Sequence, residues 1–294
     1  MRLEFVPRSG EGEQEAQRAR GFDAQFAKKE TLVLEGSGGT QGSFEVIDVA
    51  PETQKTEVPV LIAPGFGEGP KALELNMKTF YENGKRTLTF DAPHGVRVEG
   101  AEKKLDANEF AAREYRKAAA LKAVIGKKNL DKVDGVGHSE GCIYLVLAAL
   151  EHPERFRSLV LVNPGGMVGE DNFLSLVARA YEHQKAQTRQ AKVDSRVAAI
   201  IEATRGERTK NVTMSPLQSV DAARAIAATQ IHELLVDLKS KGIGIAVIHG
   251  VHDLIFPMER VQKMAKTEQL DGFYSVKGGH SEFLLHPEQY TRLA

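Results

Sequence analysis

The sequence predicts an α/β protein built on a mostly parallel, twisted sheet of about eight strands, with helices on both faces and an inserted helical cap. Three observations predict it. Short apolar, β-branched runs recur along the chain and, from the third onward, alternate with longer stretches of helical period. Those later runs lead into Gly, Pro, Asp or Asn, the last of them after one intervening lysine, as buried parallel strands do. Between Gly166 and Gly242, about 75 residues pass with no such run, too long for a simple crossover.

Taken in order, Met1 to Glu30 is dense in Glu, Arg, Gln and Lys and reads as an N-terminal extension (1–30) without the apolar centre of a secretory signal. Thr31–Leu34 and Phe44–Val49 flank the glycine-rich stretch Gly36–Gly42 and read as an antiparallel pair around a turn; that stretch lacks the spacing and following helix of a phosphate loop. Val58–Ala63, Arg86–Phe90, Val133–Gly137, Ser158–Val162, Gly244–His249 and Phe273–Val276 are the parallel strands. Helices are predicted at about Lys71–Asn83, Asn108–Lys127, Glu140–Leu150, Met258–Lys266 and from Glu282 onward. The core is then 31–166 and 217–294, and 167–216 is the cap. Within the long segment, Val193, Val197, Ile200 and Ile201 repeat at helical spacing, and Ala222–Leu238 forms one further helical pattern.

Composition narrows the chemistry. The 294 residues carry 39 basic and 40 acidic side chains, a formal net charge of -1. No overall field favours nucleic acid or an anionic membrane, so a small or neutral substrate fits best. No stretch approaches the roughly 18 apolar residues of a membrane span. Cys142 is the single cysteine, which excludes an internal disulfide and every multi-cysteine metal pattern. A reducing, cytoplasmic setting is expected, and oligomeric state is not readable.

The most informative residues are Gly137-His138-Ser139-Glu140-Gly141, between a strand pattern and an Ala- and Leu-rich helix. This is G-x-S-x-G in the context that gives it meaning. A serine on a sharp strand-to-helix turn has its hydroxyl lifted clear of the sheet, and the flanking Gly137 and Gly141 avoid collisions there. Serine alone is a poor nucleophile; it needs a histidine base, which needs a carboxylate to fix its tautomer. Asp253 follows the strand pattern ending His249-Gly250, and His280 follows the last strand in Gly278-Gly279-His280.

The order Ser139, Asp253, His280 resembles that of the α/β-hydrolase fold superfamily, and the similarity spans about residues 31 to 294 with a helical cap. The resemblance implies a serine esterase: Ser139 as nucleophile, His280 as general base then acid, and Asp253 as its orienting residue. Asp171 is the fallback carboxylate. The oxyanion hole would use the backbone N–H of Glu140 and one from Pro64-Gly65-Phe66-Gly67-Glu68-Gly69, with Phe66 best placed; Pro64 stands where the family often has histidine. Asp91-Ala92-Pro93-His94-Gly95 is similar to a structural turn of the family. Serine at the nucleophile position excludes the branches with aspartate there, the haloalkane dehalogenases and epoxide hydrolases.

The expectation is therefore a carboxylic-ester hydrolase working through an acyl-enzyme, with no cofactor and no metal. Thioesterase, lactonase, carbon–carbon hydrolase, aminopeptidase and acyltransferase activities stay open on the same residues, as does a non-catalytic ligand-binding protein of this fold. Phe173, Leu176, Val177 and Tyr181 are candidates to line the cap pocket. His138 reads as a packing or hydrogen-bonding residue, Glu140 as facing the pocket or, more simply, pairing with a nearby cation, and His152, His183, His232 and His286 as surface residues. Cys142 reads as a small buried residue.

Overall fold

The computed structural model describes residues 27–93, 96–98, 110, 112–214, 216–266 and 270–291. The N-terminal extension up to residue 26, His94 and Gly95 of the predicted turn, and the last three residues of the predicted C-terminal helix lie outside the described residues.

Eight strands form one sheet: β1 (Ala27–Glu35), β2 (Gln41–Val49), β3 (Val60–Ala63), β4 (Thr87–Phe90), β5 (Val133–His138), β6 (Phe156–Val162), β7 (Gly244–Gly250) and β8 (Gly272–Val276). Their spatial order is β1-β2-β4-β3-β5-β6-β7-β8. The first two strands form an antiparallel hairpin, β2 pairs antiparallel with β4, and all other pairs are parallel. β1 starts at Ala27, inside the stretch read as an extension. Its first residues, Ala-Lys-Lys-Glu, lie on a sheet edge, where charged side chains replace the apolar alternation that betrays an inner strand.

The inner strands are buried on both faces, which is why they read as continuous apolar runs. Leu61 of β3 and Leu159 and Leu161 of β6 point into one core with helices α2 (Ala112–Lys127) and α3 (Gly141–Glu151). Val60 and Ile62 of β3 and Val160 and Val162 of β6 point into the other, against α1 (Glu74–Glu82). This two-residue alternation sets the layers.

Four helices fill the long gap between β6 and β7: α4 (Phe173–Gln190), α5 (Ser195–Met214), α6 (Pro216–Ala228) and α7 (His232–Ser240). The single helical pattern read across Ala222–Leu238 is in fact two helices. Thr229-Gln230-Ile231 interrupts them while Ile231 donates its amide to Gly166 and the apolar spacing continues through the break. Val193 lies in the turn before α5 and is exposed. After β7 come α8 (Met258–Ala265), α9 (Glu282–Leu285) and α10 (Glu288–Thr291), the last two separated at Pro287, which disfavours helix at the residue before it. No helix among the described residues is long and apolar enough to cross a membrane.

Candidate active site

Parallel strands aim their carboxyl ends at one edge of the sheet, and the candidate residues gather there. Ser139, immediately after β5, has φ +56°, a left-handed conformation rare for a side-chain-bearing residue. Hydrogen bonds hold it there. Its amide donates to Val162 at 3.0 Å, and its carbonyl accepts from Gly165 at 3.1 Å and Cys142 at 3.2 Å. The two glycines are forced by approach distances. A Cβ on Gly141 would stand 2.1 Å from the Ala63 carbonyl oxygen, and one on Gly137 would stand 2.8 Å from the Cys142 Cα.

Asp253 and His280 are brought together directly, with Asp253 Oδ2 2.8 Å from His280 Nδ1. The other carboxylate oxygen accepts the amides of Ile255 at 2.8 Å and Phe256 at 3.0 Å. Burial opposes the charge on Asp253, but His280, followed by His249 and the Phe256 amide, outweighs it and holds the carboxyl below its usual value. The His280 carbonyl accepts from His138 Nε2 at 2.9 Å and from Asn163 Nδ2 at 2.8 Å, and Asn163 Oδ1 accepts the Gly250 amide at 2.8 Å. His280 is thereby tied to the ends of β5, β6 and β7, and its ring lies 5.1 Å from that of His138, the neighbour of Ser139.

Asp171 is elsewhere. Its buried carboxylate pairs with Arg179 of α4 and with Arg260 of α8. His249, at the end of β7, donates from Nε2 to the Phe256 carbonyl at 2.9 Å, and the same nitrogen lies 4.0 Å from Asp253.

The loop after β3 lies against the turn that carries Ser139, where Gly141 meets Pro64 and His138 meets Glu68. Its start is held by the Tyr144 hydroxyl, which donates to Pro64 at 2.6 Å, and its backbone is bent by Glu68, which accepts the Gly65 amide at 2.7 Å. The Arg113 guanidinium covers the Phe66 ring at 4.5 Å. Neither the Phe66 nor the Glu140 amide donates to another backbone group among the described residues.

The Glu140 side chain turns away into a buried charge cluster. Arg113 lies 3.0 Å from one carboxylate oxygen, and Lys117 donates to the other at 2.9 Å. Burial alone would raise the Glu140 carboxyl, yet the two cations hold it below its usual value. Neighbouring Glu114 is pushed up to about 8 by burial and by the Glu140 charge.

Several sequence expectations are corrected here. His183 is not a surface residue: it is half-buried on α4, edge-on to His280 with ring centroids 5.6 Å apart, and 3.2 Å from the Ser281 hydroxyl. Gln187, one turn on, donates to the same hydroxyl at 2.8 Å. His232 is buried at the start of α7. On α4, Leu176 is buried and Phe173 half-buried, but Val177 and Tyr181 lie on the exposed side with Leu174. The helix turns its polar residues His183 and Gln187 to the site, and a search for apolar lining passes over them. The partnership of His138 with Glu68 was also invisible, because 70 residues separate them.

Cys142 is buried, its thiol donating to Gly137 at 3.2 Å, and burial pushes the thiol well above its ordinary range. Iodoacetamide at pH 8 is expected to leave Cys142 unmodified in the folded protein and to alkylate it fully in denaturant, as read by intact mass. Rapid labelling of the folded chain would refute the burial.

The Asp253–His280 pair and the strained Ser139 both lie at the carboxyl edge of the parallel sheet. The chain belongs to the alpha/beta hydrolase fold family, which it matches over residues 58–212. A protein of Mycobacterium phage D29, provisionally named a non-heme haloperoxidase, is 28% identical over 277 residues, with 89% of this chain and 91% of that protein covered. A thermophilic esterase from Thermogutta terrifontis shares the fold with a TM-score of 0.64 at 17% identity, covering 91% of this chain and 96% of that one. A bromoperoxidase from Bacillus anthracis does so with a TM-score of 0.62 at 13% identity, covering 90% and 98%.

Proposed function

We propose that this hydrolase cleaves small or medium, largely apolar carboxylic esters through an acyl-enzyme on Ser139. The observation that carries the reading is the 2.8 Å Asp253–His280 pair, anchored through His138 beside a serine held at positive φ. Asp253 fixes Nδ1 as the protonated nitrogen of His280, leaving Nε2 as base. His280 takes the Ser139 proton as the hydroxyl attacks the ester carbonyl, and the amides of Phe66 and Glu140 receive the oxyanion. The same proton goes to the departing alcohol. Water, deprotonated by His280, then releases the acid and frees Ser139. The helices between residues 173 and 214 form the roof, and a cytoplasmic setting suits the single buried thiol.

The test is a fluorophosphonate probe. The protein is expected to be labelled stoichiometrically and Ser139→Ala not at all, with nitrophenyl esters of increasing chain length then sizing the pocket. Labelling of the alanine variant would end the proposal.

The phage relative favours a second reading on the same residues. An acyl-serine attacked by hydrogen peroxide instead of water would give a peracid, whose O–O bond oxidises bromide by two electrons. Peroxide-dependent bromination that needs both Ser139 and a carboxylic acid or ester would support it; bromination independent of Ser139 would not.

A further inference from the structure

Beside the Asp253–His280 pair stands a second buried carboxylate–imidazole pair that the chemistry above does not use. His138 is fully buried and Glu68 is 8% exposed. His138 Nδ1 lies 2.8 and 3.0 Å from the two Glu68 oxygens, and Nε2 lies 2.9 Å from the His280 carbonyl oxygen. A carbonyl only accepts, so Nε2 carries a hydrogen. A bare Nδ1 would then aim its lone pair at an ionised carboxylate in a dry interior. A proton therefore lies between them, one more than a neutral imidazole and an ionised carboxylate hold together.

Glu68 also accepts the Gly65 amide, which shapes the loop presenting Phe66. The contacts thus run without a break from the oxyanion loop, through Glu68 and His138, to the backbone of the base. Apart from this run, the loop start is held by Tyr144 and the base carbonyl by Asn163.

We propose that Glu68 and His138 are positioning residues, a protonated bridge that holds the oxyanion loop and His280 in register with Ser139. The inference rests on the acyl-serine reading. The groups facing His138 are Glu68, His280 and Asp253, while Glu140 faces Glu68. Burial opposes the His138 charge, but Glu68 overrides it and raises the imidazole above its ordinary value. A raised imidazole contributes fully below the free value of 6.5 and is lost as pH climbs through the raised one. Activity should therefore decline on the alkaline side as the bridge loses its proton.

The experiment measures kcat, KM and the pH profile for nitrophenyl acetate with the wild type, Glu68→Ala, Glu68→Gln and His138→Phe. Glutamine keeps both contacts without the extra proton: its oxygen takes the Gly65 amide, and its NH2 donates to Nδ1 of a neutral His138. Expected is a loss of about 10²-fold in kcat with KM little changed for Glu68→Ala and His138→Phe. Glu68→Gln should recover most of that loss and lack the alkaline decline. Wild-type kcat in a His138→Phe protein that circular dichroism shows to be folded, or an alkaline limb that persists in Glu68→Gln, would overturn the inference. An active Ser139→Ala control would instead overturn the acyl-serine reading beneath it.

Discussion

Asparagine at position 253 is expected to lower kcat by about 10⁴-fold while the protein stays folded. The amides of Ile255 and Phe256 both donate to one side-chain oxygen of Asp253, so an asparagine must keep its oxygen there. Its NH2 group then faces His280 Nδ1, which has to accept, and the hydrogen moves to Nε2. A protonated Nε2 cannot take the serine proton. Steady-state kinetics on a nitrophenyl ester, with thermal unfolding as the control for folding, measure this. A loss of less than about tenfold would remove Asp253 from the reaction. Asp171 would be a poor replacement, since two arginines already hold it.

The second large effect is on stability. Glu140→Gln leaves Arg113 and Lys117 buried without their counter-charge, and breaking a buried pair of this kind costs about 3–5 kcal/mol. Glu114 decides where in that range the variant falls. Its carboxyl, raised to about 8, is mostly protonated at neutral pH because it is buried and because Glu140 is ionised beside it. Once Glu140 is neutral, Glu114 ionises and supplies part of the missing charge. Urea unfolding should therefore show a cost near the lower bound for Glu140→Gln and a larger one for Glu140→Gln with Glu114→Gln, a non-additive pair. Additive costs would mean that the two carboxyls do not share the cations. Acid should also weaken this cluster: a lowered Glu140 contributes above the free carboxyl value of 4.5 and is lost as pH falls through its folded value.

The inner strands were legible because both their faces are buried, which leaves long apolar runs that no surface helix would carry. Edge strand β1 escaped at its start for the opposite reason, since Lys28, Lys29 and Glu30 face water. Gly137 and Gly141 pointed to Ser139 because crowding at the turn, against Cys142 and against Ala63, is relieved by glycines that stand together in one five-residue motif. Side-chain partnerships between distant segments leave no such mark. Glu68 and His138, or His183 and Ser281, meet only once the sheet has been assembled, and neither partner's type announces the other. Helix breaks were hidden as well: the apolar period runs on past Ile231 because α6 and α7 both pack on the same core.

The order of strands across the sheet also fixes the order in which competence arises. A ribosome delivers Ser139 and its glycines long before β7 and β8 exist, and those two strands complete one edge last. Until Asp253 and then His280 emerge and dock there, the growing polypeptide carries an alcohol with no base. On the proposed reading, a half-made copy leaves the esters around it untouched, however well its first six strands have folded.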